Sequence, residues 1–249
     1  MKRLAYWILC KTGMYPSIYF CPNPFRMIEF AEMLKHANLK GKERILDLGC
    51  GAGLQTLLLG RLVQEVIGID INKHSIAKAR YLGHLLAKRI NASFVESKLE
   101  NAGFRENEFD LMFSICVLEH ISNYQEVLTH IRRVLKPGGK LIISVDALES
   151  ISDSSLIEKH SREHYVHHYF SRDELRGLLA SVGFVDITVK PLFQSALSKQ
   201  LFVKGIQNKF TFGYLRSLLL RHRIIQMEEE IREDVPAIFL LASAIKPVT

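Results

Sequence analysis

The sequence predicts an α/β fold, a largely parallel sheet of seven strands with helices on both faces. Three observations carry that prediction. Short continuous apolar runs alternate with longer stretches of helical period, the pattern of strands buried on both faces. The run Arg44–Leu48 passes through Asp47 into Gly49, Gly51 and Gly53, a turn of the kind that binds nucleotide-like ligands at the carboxyl end of a parallel strand. A second run, Val66–Asp70, again ends in an acid, and a carboxylate at that tip suits a pair of ribose hydroxyls.

Period and punctuation place the elements in order. A helix is expected over 24–37, ahead of the sheet. Strands follow at 44–48, 64–70, 92–96, 109–115 and 139–146, with helices at 54–62, 73–89, 122–134 and 171–182. The sixth strand fits Val185–Val189 and the seventh Ala237–Ile245. Right-handed crossovers set the carboxyl ends of the parallel strands on one rim, where the glycine turn and both acids lie.

The glycine spacing decides among nucleotides. The dinucleotide fingerprint G-x-G-x-x-G would need a glycine where Leu54 stands, so a nicotinamide dinucleotide is disfavoured. The motif present is D-x-G-x-G-x-G, with Asp47, Gly49, Gly51 and Gly53. It resembles motif I of the class I S-adenosylmethionine (SAM) dependent methyltransferases. More of that pattern follows: Phe109–Ile121 resembles the fourth strand and its loop, Leu135–Val145 the turn into the fifth, and Phe170–Leu175 with Ala180–Phe184 the helix before the sixth. The resemblance covers roughly residues 40–190 and resumes at the last strand. It is closest to the ubiquinone-biosynthesis and small-molecule branch.

The resemblance implies a Rossmann-like methyltransferase sheet of order 3-2-1-4-5-7-6, its seventh strand antiparallel, with a helical cap. It implies SAM as cofactor, with Asp47, Gly49, Cys50, Gly51 and Gly53 at the methionine half and Asp70 at the ribose. Ile71, Lys98, Leu99 and Ser114 complete the expected cofactor set. One position departs from the family. Lys98 stands where an acid often reads the adenine amine, and lysine has only donors; Glu96 or Ser97 could serve one or two residues away, or the Lys98–Leu99 backbone alone.

Composition narrows the rest. A chain of 249 residues with four cysteines and a formal charge of +7 suits one sizeable α/β domain. Cys10, Cys21, Cys50 and Cys116 have neither metal-ligand nor disulfide-framework spacing. Met1–Cys10 has a short basic and apolar start, but the run stops at Lys11 with no small-residue cleavage site, which argues against a secretory signal. No stretch approaches a membrane span. The expected location is cytoplasmic, with a peripheral membrane contact kept open.

The expected domains are an amino-terminal helical flap over 1–39, a core over 40–190 and 235–249, and a helical cap inserted at 191–234. Arg26 and Tyr19 of the flap could reach the cofactor carboxylate. From Lys190 to Arg223 there are seven Lys or Arg residues and no Asp or Glu. Leu220, Ile224, Met227 and Ile231 recur at helical spacing there, and Glu228–Glu230, Glu233 and Asp234 follow. Three readings compete: a packed cap with a solvated basic face, a cap over an acidic or amphiphilic acceptor, and a basic amphipathic surface for anionic lipid. Nucleic acid is disfavoured, since no binding module for it is visible.

Methyl transfer needs alignment more than side-chain chemistry, so a sparse catalytic constellation is expected. His120, His164 and His167 are the candidate bases, histidine titrating near neutrality. Four histidines between His160 and His168 invite a metal reading, but the adjacent ligands are few and no metal is expected. The expected function is SAM-dependent O-, N- or C-methylation of a small-molecule or lipid-like acceptor. The alternative is a non-catalytic module of the same fold that binds a membrane or partner through the basic insertion.

Overall fold

A computed structural model describes residues 23–86, 90–228 and 235–248. The sheet has seven strands: β1 (Arg44–Leu48), β2 (Glu65–Asp70), β3 (Ala92–Glu96), β4 (Phe109–Ile115), β5 (Leu135–Asp146), β6 (Val185–Leu192) and β7 (Phe239–Ile245). Their order is β3-β2-β1-β4-β5-β7-β6, as expected, and β7 runs antiparallel to both β5 and β6. The helices are α1 (Pro24–Ala37), α2 (Leu54–Leu59), α3 (Lys73–Leu86), α4 (Tyr124–Val134), α5 (Ser154–His164), α6 (Arg172–Ser181), α7 (Ala196–Asn208) and α8 (Tyr214–Met227).

Several bounds differ from expectation for local reasons. The helix expected to reach residue 62 stops at Leu59, because Gly60 follows and packs so closely that a Cβ there would sit 2.6 Å from Ile90. The end of the helix expected over 73–89 lies outside the described residues beyond Leu86. Strand β5 begins at Leu135, earlier than expected, since a register shift between Phe109 and Leu111 lets it pair before the glycines. Helix α5 has no counterpart in the sequence reading. Its only buried residue is His160, so it lacks an apolar stripe, and Asp153 starts it by accepting from Ser155 N and Leu156 N.

Three buried clusters flank the sheet: a smaller one around Phe94 under α2 and α3, and two larger ones on opposite faces. On one face α1, α7 and α8 pack through an aromatic knot: Phe25 meets Phe193 edge-on at 4.9 Å and Phe202 at 5.7 Å. Each such pair adds about 0.5–1.5 kcal/mol to the burial of its rings, which seats α1 on the sheet. On the other face α4 and α6 cover Leu46, Met112 and Leu141. The stripe read from Leu220, Ile224 and Met227 is half right. Leu220 and Ile224 are buried, but Met227, at the helix end, is exposed; Ile231, Tyr19 and the flap before Asn23 lie outside the described residues. Among the described residues no helix is long and apolar enough to cross a membrane.

Candidate active site

The site grows from the end of β1. Gly49, Gly51 and Gly53 take positive φ of 71°, 53° and 78°, which only glycine adopts freely. The amides of Gly49 and Cys50 donate to Ile69 O at 2.8 and 3.0 Å, stitching the turn to the tip of β2. Asp70, at that tip, accepts from Gly51 N at 2.9 Å and Asn72 N at 2.8 Å. Asp47 is fully buried. Thr56 donates to its Oδ2 at 2.6 Å, while Oδ1 has no partner among the described residues. Burial pushes its carboxyl up to about 7, with the nearby Asp70 charge adding to the effect.

Between the ends of β1, β2 and β4 opens a cavity of about 450 Å³. Of the residues expected at the cofactor, Gly49, Asp70, Ile71, Lys98 and Leu99 line it. Asp47, Cys50, Gly51 and Gly53 form the turn behind that lining. Ser114 is buried, with its hydroxyl donated to Leu48 O at 3.3 Å, and does not reach the cavity. Ser97 lines the cavity and Glu96 does not, while the Lys98 ammonium lies 4.0 Å from Glu100 Oε1.

The three candidate histidines separate. His120 lines the cavity, and its Nδ1 lies 3.3 Å from the carbonyl oxygen of Tyr165. A carbonyl only accepts, so Nδ1 carries the proton and Nε2 is left as the acceptor. Burial lowers the pKa of His120. His164 and His167 are exposed and do not line the cavity; the amide of His167 serves the loop by donating to Glu119 O at 2.8 Å.

The sequence reading missed a buried polar cluster beside the cavity. Cys116 lines the cavity in a left-handed conformation (φ 44°) and donates its thiol to Glu29 Oε1 at 3.1 Å. Glu29 is fully buried and pairs with Arg26 Nη1 at 2.8 Å. Glu119 accepts from Asp146 N at 3.3 Å on one oxygen, and its Oε2 has no partner among the described residues. Burial and the Asp146 charge push the Glu119 carboxyl up, and burial brings Asp146 to about 6. His160, buried behind them, holds Tyr169 OH at 3.0 Å and is lowered to about 3 by burial, so it is neutral 3.8 Å from Asp146. Cys116, Glu119 and Asp146 offer three ligand atoms within 4.8 Å of one another, but the Arg26–Glu29 pair already brings a cation to their side. One signal could have found Asp146: like Asp47 and Asp70, it ends an apolar strand.

A family model described as a methyltransferase domain matches residues 26–189. Among curated relatives, a ubiquinone biosynthesis O-methyltransferase of Nitrosococcus oceani is 37% identical over 123 residues, covering 49% of this chain and 50% of that one. A mouse arsenite methyltransferase is 35% identical over 128 residues, covering 47% and 34%. The chain thus spans about half the length of the curated relatives it matches, or less. Among solved structures, geranyl diphosphate C-methyltransferase from Streptomyces coelicolor superposes with a TM-score of 0.67 at 13% identity, over 89% of this chain and 79% of that one. Phosphoethanolamine N-methyltransferase 2 of Haemonchus contortus gives 0.65 at 22% identity, over 88% and 52%. These likenesses concern the fold.

Proposed function

The chain belongs to the class I SAM-dependent methyltransferase family, and from that premise we propose that it transfers a methyl group from SAM to a small-molecule or lipid-like acceptor. The observation that carries the proposal is that Gly49 of the glycine turn and Asp70 line one cavity of about 450 Å³, a volume ordinary for a small-molecule site, with the Oδ1 of Asp47, unpartnered among the described residues, in the strand directly behind it. The fit is chemical as well as spatial. A buried carboxylate oxygen without a partner asks for a donor, and an ammonium group is one. Asp70 is held in place by two backbone amides and keeps lone pairs for hydroxyl donors. The φ of Gly51 and the open space where its Cβ would stand let a ligand lie against the backbone.

When bound, SAM supplies a methyl group already activated on a sulfonium. The chain's own residues then align and exclude water. Leu99, Ile71 and Val117 give the cavity apolar walls, which favour a desolvated reaction. His120 takes the acceptor's proton through Nε2, since its Nδ1 proton is committed to Tyr165 O. The buried cluster of Glu119, Asp146 and Cys116 sits where the acceptor end of the cavity meets α1. The division into a flap over 1–39 and a cap over 191–234 is part of this proposal, and among the described residues α1, α7 and α8 packed together on one face of the sheet support it. A cytoplasmic location accords with the buried free thiols of Cys50 and Cys116. The cationic insertion supports an amphiphilic acceptor met at a membrane surface.

Relatives bear on the alternative reading. Most are named as methyltransferases of small molecules, among them O-methyl and arsenite enzymes, one is named as a tRNA carboxymethyltransferase, and none supports the non-catalytic module. The test is calorimetric titration with S-adenosylhomocysteine, with Asp70→Asn as comparison. Binding by the intact chain that falls about tenfold or more in the variant, the loss of one charge-assisted bond, supports the proposal. An intact, folded chain that binds neither SAM nor S-adenosylhomocysteine refutes it.

A further inference from the structure

Helix α8 turns the wrong residues outward. Its inner face is Ser217, Leu220 and Ile224, all buried. At 100° per residue the opposite direction belongs to Leu215, Leu218, Leu219 and His222, spaced i, i+3, i+4, i+7. On a helix packed on one side only, that outer line is ordinarily polar. Here Leu215 is 76% exposed and Leu219 63%, and Ile225 and Met227 extend the exposed apolar surface toward the helix end. Single exposed leucines need no explanation. Five of the eleven large exposed hydrophobic residues among those described stand on this one helix, and that concentration does.

Among the described residues of α7, α8 and the turn between them, the charges have one sign. Arg216 and Arg223 flank it on one side, and Lys204 and Lys209 are exposed on and just after α7. No acid occurs between Lys190 and Arg223. The nearest one described, Glu228, faces inward and caps α7 by accepting from Gln194 N at 2.8 Å, Ser195 N at 2.9 Å and Ser198 Oγ at 2.7 Å. An apolar crest with cations on its shoulders is the arrangement of a helix lying in a lipid interface, where arginine and lysine stems run along the apolar layer and their charges rest among phosphates.

We propose that α8 docks the protein on an anionic lipid bilayer, with Leu215, Leu218 and Leu219 in the headgroup–acyl boundary and Arg216, Arg223, Lys204 and Lys209 at phosphate level. Charge selects this occupant over a second copy of the chain. A two-fold contact through α8 would face one set of basic shoulders with another, whereas an anionic leaflet attracts each of them. The docking also deepens the amphiphilic-acceptor reading on which it rests. Helix α8 packs on α1, and α1 carries Arg26 and Glu29 to Cys116 at the cavity wall, so the docked face and the acceptor end share one helix.

The experiment is co-sedimentation of the full chain with phosphatidylcholine vesicles with and without phosphatidylglycerol, for the wild type, Leu215→Ser/Leu219→Ser and Arg216→Gln/Arg223→Gln. Wild type should bind the anionic vesicles, weaken as salt rises, and lose about tenfold or more in each variant. All four side chains point to solvent, and unchanged S-adenosylhomocysteine binding verifies that the variants are folded. Absence of binding to anionic vesicles overturns the proposal, as does binding that neither variant alters. A sedimentation-equilibrium dimer that Leu215→Ser/Leu219→Ser dissociates also overturns it, in favour of a second copy. Vesicle binding needs no cofactor, so its loss with nucleoside binding intact refutes the docking alone, and the reverse result refutes methyl transfer alone.

Discussion

Gly49→Ala tests whether the turn is built for close approach. A Cβ at residue 49 would stand 2.2 Å from Val117 Cγ2 and 2.9 Å from Cγ1, on a backbone at φ +71°. The left-handed conformation costs an L residue about 1–2 kcal/mol. Forcing a methyl against a side chain at that range adds about 1–3 kcal/mol of overpacking, for a total loss of roughly 2–5 kcal/mol. Gly51→Ala separates the two contributions. Its φ is +53° and nothing lies within 4 Å of the added carbon, so it should carry the strain alone, about 1–2 kcal/mol. Val117→Ala removes both clashing methyls, and the double variant Gly49→Ala/Val117→Ala should be more stable than the sum of the singles by about 1–2 kcal/mol. Urea unfolding measures all four proteins, and S-adenosylhomocysteine calorimetry follows the cavity both residues line. A Gly49→Ala protein within about 0.5 kcal/mol of wild type, with an additive double variant, would refute this account of the turn.

Four further predictions rest on three charged groups. Asp47 is raised from 3.8 to about 7 when ligand is absent, so a cationic ligand group facing it favours the ionised form. Affinity for S-adenosylhomocysteine should therefore rise as pH climbs through 7 with release of a proton, read from calorimetry in buffers of different ionisation heat and absent in Asp47→Asn. The same raised pKa means that the folded state holds its proton more tightly than the unfolded one. Its contribution to stability is full below pH 3.8 and is lost as pH rises through about 7, so the unfolding free energy should decline across that window in wild type relative to Asp47→Asn. His120→Gln should lower kcat by about a hundredfold or more with KM little changed. Because burial lowers the His120 pKa, the acid limb of the wild-type kcat profile should fall below the ordinary histidine value of about 6.5. Arg26→Met leaves Glu29 buried without its cation and should cost about 3 kcal/mol, the low end for such a loss because the Arg26 side chain is 31% exposed; Glu29→Gln in the same chain should recover part of it in urea unfolding.

The elements legible in the sequence were those whose signal is local. The apolar runs of β1 to β4 and the D-x-G-x-G-x-G turn fix backbone and burial within a few residues, and their bounds agree with the structure to within a residue. The helix Ser154–His164 was not legible, because it buries only His160 and its stability comes from contacts made elsewhere in the chain. Ser114 resembles a cofactor residue by its place near the tip of β4, but its hydroxyl serves Leu48 O and the next residue, Ile115, lines the cavity instead. His164 and His167 stood out by composition, while the buried histidine is His160, chosen by the packing of α5 against Tyr169 and Asp146. Glu29 could not be read at all: it meets Cys116 across 87 positions of sequence, and only the seating of α1 by Phe25 brings the two together.

The carboxylates along the rim show how one fold gives like groups unlike work. Asp70 faces two amides at the turn's edge, so it is an acceptor set in advance for hydroxyls. Asp47, a strand away, is sealed from water with one oxygen unpartnered, and its charge becomes favourable only when a donor arrives. Asp146, at the tip of β5, lies against Glu119, and the two buried acids oppose each other's ionisation. Arg26 reaches this end already paired to Glu29, so one guanidinium cannot neutralise three carboxyl groups. The acceptor end therefore holds a proton near neutral pH where the nucleoside end accepts hydrogen bonds, and His120, whose pKa burial lowers, lines the same cavity and is placed to receive a proton from an acceptor through Nε2.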